Sequence, residues 1–256
     1  MDNSIFQSYY SKLLSSPYKF KSENRKLPTW AWISEKKLTV CPHFVGNLYP
    51  ESSLRLMVVG RAVNGWDVDA ESCTSLEAAL NMVFRQEDRF EDVAKDKIVY
   101  IDSQTGKEKS YRYSNSRFWK LIRHILEQSG ESENYHQRIL WSNLYKVAPY
   151  TTGNPSWGLI KPQMQIYIDL LVKEIRLYKP SHILFITGMD YLNPWPNEPQ
   201  FGETLGIGTR NQTKFFDSKF EVGEFEGSKI VVCERPENKS DEAIAQMARD
   251  ILKLFA

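Results

Sequence analysis

Three short apolar runs punctuated by turn residues limit what this chain can fold into. LRLMVVG at 54–60 and SHILFITG at 181–188 are β-rich and close on glycine, and RILWSNLYKVAPY at 138–150 runs into a loop. Unbroken apolar runs of this length read as strands buried on both faces, which is the habit of parallel sheets. Between the last two lies KPQMQIYIDLLVKEIRLYKP, which sets Met164, Ile168, Leu171, Ile175 and Tyr178 on one helical face, with Pro162 near its start and Pro180 at its end. Strand, helix and strand in succession make a right-handed crossover between parallel strands.

The other periodic stretches extend this pattern. Phe6, Tyr9, Tyr10, Leu13 and Leu14 fall at helical spacing, and SLEAALNMVF at 75–84 predicts another helix. In SNSRFWKLIRHILEQSG the residues Phe118, Leu121, Ile122, Ile125 and Leu126 repeat at i, i+3, i+4, i+7 and i+8, and Gly130 ends the helix. KIVYIDSQTGKEKSYRY at 97–113 predicts two strands around a Thr-Gly turn. KFEVGEFEGSKIVVCERP supplies a strand or hairpin and then a last strand ending at Arg235. The closing helix is capped by Ser240 and buries Ile244, Met247, Ile251 and Leu254. The expected fold is α/β: a three-layer α/β/α sandwich around a mostly parallel sheet. It is one domain over 1–256, with an N-terminal helical or irregular extension over 1–53 and a hairpin insertion over 95–113.

Charge narrows the partners. With 33 basic and 32 acidic residues the net charge is +1, so an overall nucleic-acid footprint is absent, although a local basic groove is allowed. Cys41, Cys73 and Cys233 are odd in number and contain no C-x-x-C pair, which argues against a disulfide framework or zinc ribbon and for reduced thiols in a cytoplasm. No metal is expected. The stretch MDNSIFQSYYSKLL lacks the basic run and apolar core of a signal peptide, and no apolar run nears the roughly 20 residues needed to span a bilayer.

In sheets of this kind ligands bind at the carboxyl ends of the strands, which selects the loops 60–69, 143–154 and 233–240. Five pieces in order resemble the uracil-DNA glycosylase superfamily. VVGRAVNGWD at 58–67 is an apolar strand entering a loop, and SNSRFWKLIRHIL resembles a helix of the mismatch-specific branch. ILWSNLYKVAPY carries an asparagine on its strand, LLVKEIRLYKPSHILFITG is similar to the thermostable bacterial branch, and KIVVCERPENKS stands where the second motif falls. The pieces cover residues from 54 to 254.

The resemblance implies hydrolysis of the N-glycosidic bond of a deaminated or modified base in DNA, by an enzyme that takes the base out of the stack. It implies that Asn143 reads the base edge, that Gly60 lets the backbone approach, and that Trp66 either stacks on the base or lids the loop. The family's water-positioning residue falls at Arg61 or Ala62, neither of which can activate water, so Asn64 or Asp67 takes that role. Arg235 replaces the family's histidine; it can stabilise an anion or a phosphate but does not shuttle protons at neutral pH. Arg61, Lys146, Asn238 and Lys239 are the candidates for the nucleic-acid backbone, with a surface position for Lys146 as the alternative. The thermostable branch holds an iron–sulfur cluster on four cysteines; three cysteines at other places imply no cofactor here. A member that binds nucleic acid, nucleotide or a protein without turnover is the other reading. The strand tips at Gly60, Asn143 and Arg235 are expected to converge on one hollow.

Overall fold

The computed structural model describes residues 4–19, 24–63, 73–84, 89–101, 107–149, 154–195, 198–207, 212–215 and 218–256. Helix α1 (Ser4–Ser15) comes first and buries Phe6, Tyr10, Leu13 and Leu14. Strands β1 (Pro17–Tyr18) and β2 (Leu27–Pro28) pair antiparallel, and α2 (Thr29–Lys36) follows. Trp32 of α2 is fully buried and its indole N–H donates to the Tyr18 carbonyl at 2.8 Å. Next come β3 (Leu38–Val40), β4 (Phe44–Val45), β5 (Leu56–Gly60), α3 (Leu76–Phe84) and α4 (Arg89–Lys95). Strands β6 (Lys97–Ile101) and β7 (Glu108–Arg112) pair antiparallel as the expected hairpin arms.

Helix α5 (Arg117–Gln128) ends where Gly130 takes φ 84° and the Glu131 N–H reaches back to the Leu126 carbonyl at 2.7 Å. The 138–150 run is two strands, β8 (Ile139–Asn143) and β9 (Val147–Pro149). After the short α6 (Trp157–Ile160) come α7 (Met164–Tyr178), β10 (His182–Ile186) and α8 (Phe201–Thr204). Strands β11 (Gln212–Phe215), β12 (Ser218–Phe225) and β13 (Ser228–Cys233) precede α9 (Asp241–Phe255). Glu226 and Gly227 both have positive φ between β12 and β13, the two-residue turn whose twist suits a hairpin. The Ser240 hydroxyl accepts from the Ala243 N–H at 3.2 Å, so the expected cap of α9 forms.

The main sheet has seven strands in the order β11-β12-β13-β10-β5-β8-β4. Strand β10 runs parallel to both β13 and β5, while β11–β12, β12–β13 and β4–β8 are antiparallel. The sheet is therefore mixed, with a parallel centre and antiparallel borders. A short turn can only return a chain antiparallel, and the β12–β13 border is made that way. All five residues of β5 are buried, as are four of the five in β10, which accounts for their unbroken apolar runs. The crossover through α7 does not join neighbours: β5 lies between β8 and β10.

The chain forms two compact units, Met1–Pro42 with Arg61–Glu87 and Asn143–Glu174, and His43–Gly60 with Asp88–Ser142 and Ile175–Ala256. In the first, β3 and β9 pair antiparallel, and the buried Gln163 amide donates to the Thr29 hydroxyl at 2.8 Å while accepting from the Tyr167 hydroxyl. The second holds the main sheet up to Ser142 of β8, together with helices α5 and α9, which pack on each other. No helix among the described residues is long and apolar enough to cross a membrane.

Candidate functional site

Strand order locates the first candidate. In chain order β5 is followed by β8 on one side, and the chain then passes back across β5 to β10 and on toward β13. The winding reverses between β5 and β10, and in open α/β sheets the crevice outside the carboxyl ends at such a reversal is where ligands sit. Gly60 closes β5 and is buried. At the end of β10, Gly188 has φ 71°, a backbone that favours glycine, and its N–H donates to the Cys233 carbonyl at 2.9 Å. This bond ties the tip of β10 to the tip of β13. The Thr187 hydroxyl donates to the Gly188 carbonyl at 3.0 Å and stiffens the same corner.

Past β13 the chain makes a tight polar turn. Pro236 is buried, the Lys239 N–H donates to its carbonyl at 3.2 Å, and Asn238 takes φ 67°. Arg235 and Asn238 are exposed, and Lys239 is half-buried. The Arg235 guanidinium is ion-paired with Glu237. An exposed pair of this kind contributes about 0–1 kcal/mol and opens readily for an incoming anion, but its net charge is zero until it does. Burial pushes the Cys233 thiol up, which keeps it an inert core group.

Asn143, the last residue of β8, is 3% exposed. Its Nδ2 donates to the Cys41 sulfur at 3.4 Å, a weak acceptor, and its Oδ1 has no hydrogen-bond partner among the described residues. The surroundings are firm: the Cys41 N–H donates to the Lys146 carbonyl at 2.7 Å, and the Tyr10 hydroxyl donates to the Cys41 carbonyl at 3.1 Å. The Asn143 Oδ1 can therefore accept a hydrogen bond from a further donor.

Lys146 corrects the sequence reading. It is fully buried and its Nζ lies 2.7 Å from Glu174 Oε1, also fully buried. A lysine enclosed in this way meets neither a phosphate nor solvent. Its neighbours Leu144, Tyr145, Val147 and Ala148 are all buried, an apolar setting visible in the sequence. Arg61 is half-buried, and its carbonyl accepts the Tyr145 N–H at 2.9 Å. Asn64, Trp66 and Asp67 lie outside the described residues.

No protein-family model matches the chain, and no curated protein matches it. Among the described residues no three His, Cys, Asp or Glu side chains gather as metal ligands. Two features of the strand tips escaped the sequence reading. Gly188 was visible as a strand-ending glycine, but its bond to Cys233 depends on strand order. Glu174 was hidden because a carboxylate on a helix face reads as solvated.

Proposed function

We propose that this chain is a protein of the uracil-DNA glycosylase type, a three-layer α/β/α sandwich that takes a deaminated or modified base out of DNA and hydrolyses its N-glycosidic bond in the cytoplasm. The observation that carries the reading is Asn143: an almost fully enclosed strand-end amide with its Oδ1 unpartnered, on the strand where the resemblance calls for a base-reading asparagine. The reversal of winding between β5 and β10 supports it, because that topology favours a ligand at the strand tips. In this reading Asn143 reads the base, Gly60 admits the backbone, Trp66 stacks, and Asn64 or Asp67 places the water. Arg235 opens from Glu237 to meet the departing base anion, and Arg61, Asn238 and Lys239 meet phosphates. Water oxygen bonds to the sugar C1′, the glycosidic electron pair leaves with the base, and the proton released by water returns to the base.

Oligonucleotides carrying uracil, hypoxanthine or xanthine test this directly. The expected product is an alkali-labile abasic strand, with Asn143→Ala slowing its formation about 100-fold, as loss of one transition-state hydrogen bond does elsewhere. Absence of cleavage on all three at enzyme excess would overturn it. The Arg235–Glu237 pair favours a second reading, a glycosylase-type fold that binds without turnover, since a cation already neutralised stabilises a leaving anion poorly. Binding to the same oligonucleotides with no abasic product, lost in Asn143→Ala, identifies that case.

A further inference from the structure

A cleft of about 530 Å³ opens in the second unit, with Tyr113, Trp119 and Tyr135 in its wall and Lys120, Arg123 and Asp241 around it. That volume suits a small-molecule ligand. Tyr113 and Trp119 are only 7% and 3% exposed. Neither their polar atoms nor the Tyr135 hydroxyl has a hydrogen-bond partner among the described residues. The carboxylates of the cleft are engaged, by contrast. Asp96 accepts from the Ser114 N–H at 2.6 Å and its hydroxyl at 3.0 Å, Asp241 is held by Arg117 and by Lys120 at 2.9 Å, and Glu127 accepts from Arg123 at 2.7 Å. What the cleft leaves over is therefore an indole N–H, which can only donate, and two phenols, which donate or accept.

We infer that this cleft binds a small, uncharged, planar heteroaromatic molecule whose edge carries hydrogen-bond acceptors. Planarity follows from the aromatic wall, and acceptors from the unpartnered indole N–H, with the two phenols able to donate as well. The absence of charge follows from the rim, where Asp96 is paired with Arg112, Glu127 with Arg123, and Asp241 with Lys120 and Arg117, so that no charged group there stands without an opposite charge beside it. The Tyr113–Trp119 and Trp119–Tyr135 centroids are 6.0 and 6.5 Å apart in edge contacts. Burial pushes the Tyr135 hydroxyl up to about 12, which keeps it a donor at neutral pH.

Caffeine is a suitable probe, since it is planar and neutral and offers carbonyl and ring-nitrogen acceptors but no N–H. In an amide-and-indole NMR titration of the full chain, the Trp119 indole N–H, assigned by its loss in Trp119→Phe, should shift and saturate. Tyr135→Phe should weaken binding about five-fold, the worth of one hydrogen bond. Benzoate and phenyltrimethylammonium should each bind at least about ten-fold more weakly. Tyr135 is half-buried and the change removes one oxygen, so its thermal midpoint should stay near that of the parent. No shift at the Trp119 indole at millimolar caffeine, an unchanged affinity in Tyr135→Phe, or a preference for the cation would each overturn the assignment. Because neither Trp119 nor Tyr135 has a part in the proposed base excision, the result is independent of glycosylase activity.

Discussion

The buried Lys146–Glu174 pair shows what a single residue's chemistry demands. Taking a lysine and a glutamate out of water is expensive for each alone, and their 2.7 Å contact offsets that cost only while both remain. Lys146→Met should therefore destabilise the protein by about 3–5 kcal/mol in urea denaturation, because it takes the cation away from a buried carboxylate. Adding Glu174→Leu should recover most of the loss; a double variant as weak as the single one would mean that the pair is not the cause. At this scale the sequence was partly legible. Asn143 stood out as a strand-end amide, and it does end β8. The burial of Lys146 was signalled by the apolar residues around it, yet its partner sits 28 positions away on another element, beyond the reach of local pattern.

Elements were more legible than their faces. The helices beginning near residues 5, 75, 117, 164 and 241 all form, since their apolar spacing leaves one stripe that must be buried. The faces are rotated slightly from expectation. Trp119 rather than Phe118 is the enclosed aromatic of α5, and Phe255 rather than Leu254 closes the face of α9. A period of 3.6 leaves adjacent positions competing for the border of the stripe, and the larger ring wins when the opposing surface has room. Caps are local and so were readable: Ser240→Ala should cost about 1 kcal/mol by removing the hydroxyl that accepts the Ala243 N–H, measured as a shift in the urea midpoint. Gly188→Ala should cost roughly 1–2 kcal/mol, because a side chain there must adopt a left-handed backbone; a neutral result would show that the corner relaxes.

For the whole molecule, strand order was the least legible property. Runs such as LRLMVVG and SHILFITG announce buried strands, but nothing local says that β10 sits between β5 and β13, or that antiparallel pairs border a parallel centre. Those choices are made by long-range packing and by the lengths of the connections. Global stability should also carry a pH signature. Burial pushes Tyr49 and Tyr135 up to about 12, against an unfolded value near 10. A raised folded value means that this contribution is complete below pH 10 and is lost as pH climbs from 10 to 12. Urea midpoints should hold up to about pH 10 and fall above it, in step with tyrosinate absorbance; midpoints indifferent to that absorbance would refute the linkage. The sheet's β4 border has one last consequence. That strand is two residues long, so a second copy of the chain would find almost no unpaired backbone there to zip onto. Fibre growth by strand addition is thereby starved at that margin, whatever the concentration of the protein.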